Sequence, residues 1–320
     1  MNGDAPISVI IPCRNAAAWL GEAIESVRAQ TVRPMEIVLV DDASTDDSVA
    51  IARSFGPIVR VVQSRGRGCN AARYTGVLES RGQYIAFVDA DDRLAPAKHE
   101  RQLAVLEASD PFTIVHTGSL NFWEDGSRPP RERSGADQAV GRCTRVIFER
   151  NPICGASVMA HRSTVLALGN YDPEVVMAGD YHLSLVASSR CTFACVPEPL
   201  YHIRRHAFNS TNRLSMKAYY HWLAQEKFRL ACPEAFAELP AESIRTYMQE
   251  PVIRAVKEAY WRRDAHYYAP LLRLAIRLAP DDPELRLMAR RRWIPMSLLR
   301  LHDRLTAGRT CQGKPVEVRI

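Results

Sequence analysis

Tyr84-Ile85-Ala86-Phe87-Val88-Asp89-Ala90-Asp91-Asp92 is a run of five apolar residues that ends in three carboxylates within four positions. A run of that length and composition reads as a buried strand, and a strand that ends in acid delivers charge to the carboxyl edge of a sheet. Three anions so close repel one another, and at the edge of a core they are costly unless a cation or hydrogen-bond donors compensate them. Asp oxygens are the hard ligands that Mg²⁺ or Mn²⁺ takes, usually with substrate phosphates completing the shell. The same acids also fit an N-terminal cluster ahead of a helix starting near Pro96, so alone they leave a metal site and a helix cap both open.

Ile7-Ser8-Val9-Ile10-Ile11 and Glu36-Ile37-Val38-Leu39-Val40 are two more short β-branched runs, the second closed by Asp41-Asp42-Ala43-Ser44-Thr45-Asp46. Between them Asn15 is placed to cap a helix that carries Trp19, Leu20, Ala23, Ile24 and Val27 at helical spacing. Ser44 with Asp47 fits a capping box ahead of a helix over 48–55. A strand over 59–62, a loop with Gly66 and Gly68, and a helix over 70–80 lead back to the strand over 84–88. Strand and helix alternate four times, which predicts an α/β protein: a doubly wound, mostly parallel sheet flanked by helices, with its site at the strands' carboxyl ends.

From 121 to 141 the composition shifts to Gly, Ser, Pro, Arg and acid, which predicts a mobile loop or a partly ordered insertion. A strand pattern resumes over 156–160. Beyond about Ser210 the chain reads as helical, with helices expected over 215–230, 241–262, 265–278 and 284–305. The division expected is an α/β domain over 1–210 and a C-terminal helical extension over 211–320.

The chain has 320 residues, 47% of them hydrophobic, enough for a sizeable core. Its net charge of +6 is concentrated in the tail, where six arginines between Arg286 and Arg304 face one aspartate, Asp303. A nucleic-acid partner is therefore not expected at the acidic site. The tail also holds Trp293, Ile294, Met296, Leu298, Leu299 and Leu301, a composition that suits either peripheral membrane contact through 284–305 or an ordinary amphipathic helix, with Pro295 breaking the stretch. No basic and apolar leader opens the chain and no stretch reaches 18 apolar residues, so a cytoplasmic location is expected. The eight cysteines lack zinc or redox spacing and read as reduced, mostly buried thiols.

Two strands thus end in acid on one edge, at Asp41-Asp42 and at Asp89 to Asp92. A nucleotide diphosphate explains both: one Asp accepts from base or ribose, and the other set holds a metal that neutralises the pyrophosphate. A dinucleotide fold would need G-x-G-x-x-G after the first strand, where this chain has Pro12-Cys13-Arg14-Asn15.

The order of motifs resembles the family 2 inverting glycosyltransferases of GT-A fold. The likeness runs over roughly residues 7 to 210 and rests on Ser8 to Asn15, Glu25 to Thr31, Glu36 to Asp46, Gly68 to Gly76, and Gly82 to Asp92. It implies that the turn with Pro12, Arg14 and Asn15 holds the base and that Asp42 accepts from its imide. It implies further that Asp89 lies at the ribose or a metal-bound water, with Ala90 beside it in the nucleotide-sugar site, and that Asp91 coordinates Mn²⁺ or Mg²⁺. Arg73 is a candidate for a donor phosphate, against the ordinary role of an ion-pair residue. Arg14 stands where many members carry Tyr, and Tyr74 where Asn often follows Arg; a guanidinium stacks on a base as an aromatic ring does.

An acceptor hydroxyl needs a base, and Asp180 in Gly179-Asp180-Tyr181 resembles the family's catalytic carboxylate, usually written Glu-Asp. Its other reading is the N-cap of a helix over 181–188. Leu200-Tyr201-His202-Ile203-Arg204-Arg205-His206 resembles the segment that closes the catalytic domain, often a flexible loop over the donor. His206 is there a further candidate ligand for the metal, as Asp89 is beside Asp91. The activity implied is transfer of a hexosyl or N-acetylhexosaminyl group from a nucleotide diphosphate sugar, a UDP-sugar, to a hydroxyl of a glycan or lipid-linked acceptor. The rivals are a non-catalytic nucleotide-binding scaffold of the same fold and a metal-dependent nucleotidyltransferase.

Overall fold

The computed structural model describes residues 4–134, 139–206, 214–262 and 268–291. Four parallel strands, β1 (Ala5–Cys13), β2 (Pro34–Asp41), β3 (Val59–Gln63) and β4 (Tyr84–Phe87), lie in the order β3-β2-β1-β4 within a nine-stranded sheet. Central β1 is buried from Ile7 to Cys13, as a strand covered on both faces must be. Ile10 pairs with Val38 on one side and Phe87 on the other, so the carboxyl ends of β1, β2 and β4 open at one edge.

The crossovers are α1 (Leu20–Arg28), α2 (Ser48–Ser54) and α3 (Cys69–Glu79). On α1 the stripe Leu20, Ala23, Ile24 and Val27 is buried against the sheet. Each of its larger side chains contributes about 1.5–3 kcal/mol by leaving water.

The second half runs β5 (Arg93–Leu94), α4 (Lys98–Glu107), β6 (Thr113–Trp123), β7 (Arg131–Arg133), α5 (Thr144–Arg150), β8 (Met159–His161), α6 (Arg162–Ala167), α7 (Gly179–Ser188) and β9 (Thr192–Arg205). Strand β8 is antiparallel to β4 and to β6, while β6 and β9 run parallel along most of their length. Within the stretch expected as a loop or insertion, residues 121–123 finish β6, and β7 pairs back on Ser119 to Asn121 in an antiparallel hairpin. The segment expected as a flexible loop over the donor is instead the end of β9, with Arg204 opposite Phe122 and Arg205 opposite Trp123. Pairing jumps from Thr117–Val196 to Ser119–Tyr201, so β9 bulges over 197–200, where Pro197 and Pro199 owe the ladder no donor.

The helices that follow are α8 (Leu214–Ala231), α9 (Pro233–Ala237), α10 (Ala241–Ile244), a π-helical turn over Arg245–Gln249, α11 (Glu250–Trp261), α12 (Tyr268–Leu278) and α13 (Pro283–Arg290). Ala224, Phe228 and Met248 join the core of the sheet, whereas Val252, Val256, Tyr260, Leu271, Leu285 and Met288 form a second apolar cluster. Asp282 caps α13 through Oδ1, which accepts from the amides of Glu284 and Leu285. The remainder of the helix expected over 284–305, from 292 onward and including Pro295, lies outside the described residues. Among the described residues no helix is long and apolar enough to cross a membrane.

Candidate active site

The turns after β1 and β2 are stitched together at the open edge of the sheet. Asn15 does not cap α1. It sits in the left-handed region at φ 50°, its amide donates to Ser44 Oγ, and its Oδ1 accepts from the Thr45 amide at 2.7 Å. Asn tolerates that backbone because its short polar side chain bonds locally. The cap of α2 is likewise not the Ser44–Asp47 box: Asp46 Oδ1 accepts from the Ser48 amide, and its Oδ2 from that of Ala17. The helix at α1 therefore starts later, at Leu20, and Trp19 leaves the core face expected of it to line a cleft.

Asp41 is occupied by the Ser44 amide and Gln63. Its neighbour Asp42 is 4% exposed. Asp42 Oδ2 accepts from the Gly68 amide at 2.9 Å and faces the Arg14 guanidinium at 3.7 Å. Asp42 Oδ1 is buried without a partner. Such an acceptor is costly by itself and fits a donor supplied by a ligand.

The three acids after β4 have three different neighbours. Asp89 Oδ1 pairs with Arg73 Nη2 at 2.6 Å. Burial raises the Asp89 pKa, Arg73 opposes that, and Asp91 adds to it. Arg73, 7% exposed, also lies over the Tyr171 ring. Its Nη2 is thus taken up by a part-buried ion pair, while its Nε is buried without a hydrogen-bond partner. Asp92 accepts from the Tyr201 hydroxyl and from the Arg204 amide, both at 2.8 Å, which latches β9 to the end of β4. Burial, with Asp89 and Asp91 adding to it, holds the Asp92 pKa well above the usual carboxylate range. Asp91 Oδ2 lies 3.0 Å from His206 Nε2. The His206 ring stacks on Trp19 with centroids 4.2 Å apart. Trp19 Nε1 donates to Glu124 at 2.7 Å, and Glu124 faces Arg204, which also pairs with Glu22.

The Asp91 carboxylate is the hard donor that Mn²⁺ or Mg²⁺ takes, and the His206 imidazole is a softer donor held at hydrogen-bond distance from it. Among the described residues no group of three or more such side chains is arranged to hold an ion, so other ligands would come from substrate and water.

The cleft between these turns has a volume of about 400 Å³. It is lined by Pro12, Arg14 and Asn15 after β1, by Asp89, Ala90 and Asp91 after β4, and by Ile203, Arg205 and His206 at the end of β9. Asp42, Arg73 and Asp180 are not among its lining residues. Asp180 is in the first turn of α7, after an N-cap Ala178 at φ 72°, and so is not the helix cap. Its carboxyl group packs against Gly155, where a Cβ would overlap it. Its charge adds to the rise of the Asp89 pKa.

No motif marks Trp19 or Glu124, and Tyr201 stands within the segment Leu200 to His206 without a role of its own. Trp19 had a signal of its own, an indole next to a polar turn, which the helical spacing of its neighbours masked. Tyr201 and Glu124 reach the site only through β6 and β9, whose pairing spans the whole second half.

A model of glycosyl transferase family 2 matches residues 8–169. A putative glycosyltransferase EpsE of Bacillus subtilis is 31% identical over 176 residues, 53% of this chain and 62% of that protein. An uncharacterized glycosyltransferase of Rickettsia felis is 34% identical over 179 residues, 55% of this chain and 29% of that protein. The chain therefore spans less than two thirds of the length of these relatives. Among solved structures, S. aureus TarS 1–349 in complex with UDP-GlcNAc superposes with a TM-score of 0.55 at 16% identity, over 85% of this chain and 88% of that one. The same protein in complex with UDP gives a TM-score of 0.53 at 17% identity over the same shares. That likeness shows a shared GT-A architecture of helices around a parallel-dominated sheet. With half of its length under the family model, the chain belongs to glycosyl transferase family 2.

Proposed function

We propose that the protein is a metal-dependent inverting glycosyltransferase that moves a hexosyl or N-acetylhexosaminyl group from a UDP-sugar to a hydroxyl of a glycan or lipid-linked acceptor. The observation that carries this reading is the meeting of Asp91 Oδ2 and His206 Nε2, 3.0 Å apart, in the cleft that Pro12, Arg14 and Asn15 also line. The complexes of TarS with UDP and UDP-GlcNAc support the choice of donor.

Asp42 offers its unpartnered Oδ1 to the imide N–H of uracil, while Arg14 lies beside it to stack on the base. Arg73 fixes Asp89 at the cleft lining, so that the carboxylate keeps one orientation toward the ribose. Asp91 and His206 would hold the divalent cation, Mn²⁺ or Mg²⁺, which when bound would supply positive charge toward the departing diphosphate. Asp180 accepts the proton of the acceptor hydroxyl as its oxygen attacks the anomeric carbon. One displacement inverts that carbon, and one carboxylate suffices because no covalent sugar intermediate forms. The Arg-rich stretch 284–305 is part of the reading as a peripheral contact with anionic membrane that brings a lipid-linked acceptor near. Salt-sensitive binding to anionic vesicles, lost on truncation before Glu284, supports that part, and no binding to any vesicle removes it.

The test is a panel of nucleotide sugars assayed for free nucleotide release and for thermal stabilisation with Mn²⁺. Release of UDP, abolished by chelator, is expected. Release of pyrophosphate from a nucleoside triphosphate would make the protein a nucleotidyltransferase. Stabilisation by UDP with no turnover of any donor, even with acceptor extracts, would make it a scaffold.

A further inference from the structure

Helix α3 touches both halves of the site. Arg73 on α3 holds Asp89. One turn earlier, Asn70 is 2% exposed and faces the chain that leads into α7. Asn70 Nδ2 donates to the Val175 carbonyl oxygen, and its carboxamide occupies the space into which a Cβ on Gly179 would project. Between these two contacts Ala178 holds φ 72°, a conformation that is costly for a non-glycine residue and persists only where its surroundings impose it. Asp180 follows directly, with its own carboxyl group against Gly155.

From this geometry we infer that Asn70 is a positioning residue for Asp180. It ties the turn at 175–179 to the helix that also holds Asp89, and so sets the distance between proton acceptor and donor site. Gly179 is the matching half of the device, since only a residue without a Cβ leaves room for the Asn70 carboxamide. The inference rests on the role proposed above for Asp180, and it explains why glycine stands where the family usually places glutamate: the volume beside Asp180 is filled from α3 instead of from α7.

The pair predicts non-additive substitution. In Gly179→Ala the new methyl meets Asn70 and displaces the first turn of α7, so kcat falls by about 10²-fold while KM for the donor changes less than about threefold. Asn70→Ala loses the tie to Val175 and lowers kcat about tenfold, again with donor KM retained. In the double variant the methyl enters the vacated space, and kcat recovers at least about fivefold over Gly179→Ala alone. Additive losses in the double variant, or full activity in Gly179→Ala, would overturn the inference. Amide exchange provides a readout that needs no turnover: Asn70→Ala should speed exchange over 176–182 and leave β4 unchanged. Unchanged exchange there contradicts the tie even if the enzyme proves inactive on every donor, whereas faster exchange without any wild-type turnover leaves the tie standing and removes the proposed function.

Discussion

Arg73 Nη2 lies 2.6 Å from Asp89 Oδ1, and that ion pair divides the labour among the three acids after β4. Asp89 is neutralised from behind by a buried guanidinium, and Asp92 is taken up by Tyr201 and the Arg204 amide. Asp91 is the member that meets an imidazole in the cleft, at His206. An acidic run that looks from its spacing like one cluster is therefore an ion pair, a candidate ligand and a strand latch.

Asp91→Asn keeps the shape of the side chain and removes its charge. Turnover should fall by at least about 10²-fold, and stabilisation by Mn²⁺ with UDP should vanish, while the melting temperature without ligands stays within a few degrees of wild type. Thermal melts with and without Mn²⁺, run beside the turnover assay, check this. Retained Mn²⁺-dependent stabilisation would move the ligand role elsewhere.

Gly155→Ala puts a methyl group where the Asp180 carboxyl group packs. The side chain of Asp180 has to turn away, so kcat should drop by about 10- to 10²-fold with nucleotide affinity unchanged. Titration with UDP by calorimetry and initial rates at saturating donor separate the two quantities. Equal losses in both would mean that the substitution disturbs the donor site as a whole.

Tyr201→Phe removes one hydroxyl that donates to Asp92 Oδ2 at 2.8 Å and accepts from the Asp89 amide at 3.1 Å. Both partners are left short of a bond at the end of β4, which should cost about 2–3 kcal/mol in urea unfolding. A loss under about 0.5 kcal/mol would show that the latch does not hold β9.

Lys98 on α4 is fully buried, with Nζ 2.7 Å from Gln102 Oε1, and burial pushes its pKa down from 10.5 to about 7. The unfolded chain keeps this proton up to roughly pH 10.4, the folded chain only to about 7, so between those values the unfolded state binds more protons and stability rises with pH. Lys98→Met removes the penalty at similar volume. The variant should melt above wild type at pH 7, and its advantage should shrink toward pH 10. An advantage constant across that range would show that burial does not lower the pKa of Lys98 in the folded chain.

The first half of the fold was legible because its strands are continuous apolar runs and its helices bury one clean stripe, as in Ile7 to Ile11 and Leu20 to Val27. Strands β6 and β9 were not. The first alternates Thr, His, Ser and Asn with apolar residues, and the second is interrupted by Pro197 and Pro199 at its bulge, so neither has a clean period. The candidate site followed the same division. Pro12, Arg14, Asn15, Asp89, Ala90 and Asp91 do line one cleft, and His206 joins them there. Trp19, Tyr201, Glu124 and Asn70 depend on contacts between segments far apart in the chain, which local spacing does not record.

The most direct test of the account compares UDP release and UDP binding in Asp180→Asn and wild type, at saturating donor and acceptor with Mn²⁺. A carboxamide of the same shape cannot take the acceptor proton, so turnover should fall by at least about 10²-fold while the dissociation constant for UDP stays within about twofold. Normal turnover in Asp180→Asn would contradict the assignment of Asp180 as the base and require another carboxylate at the site.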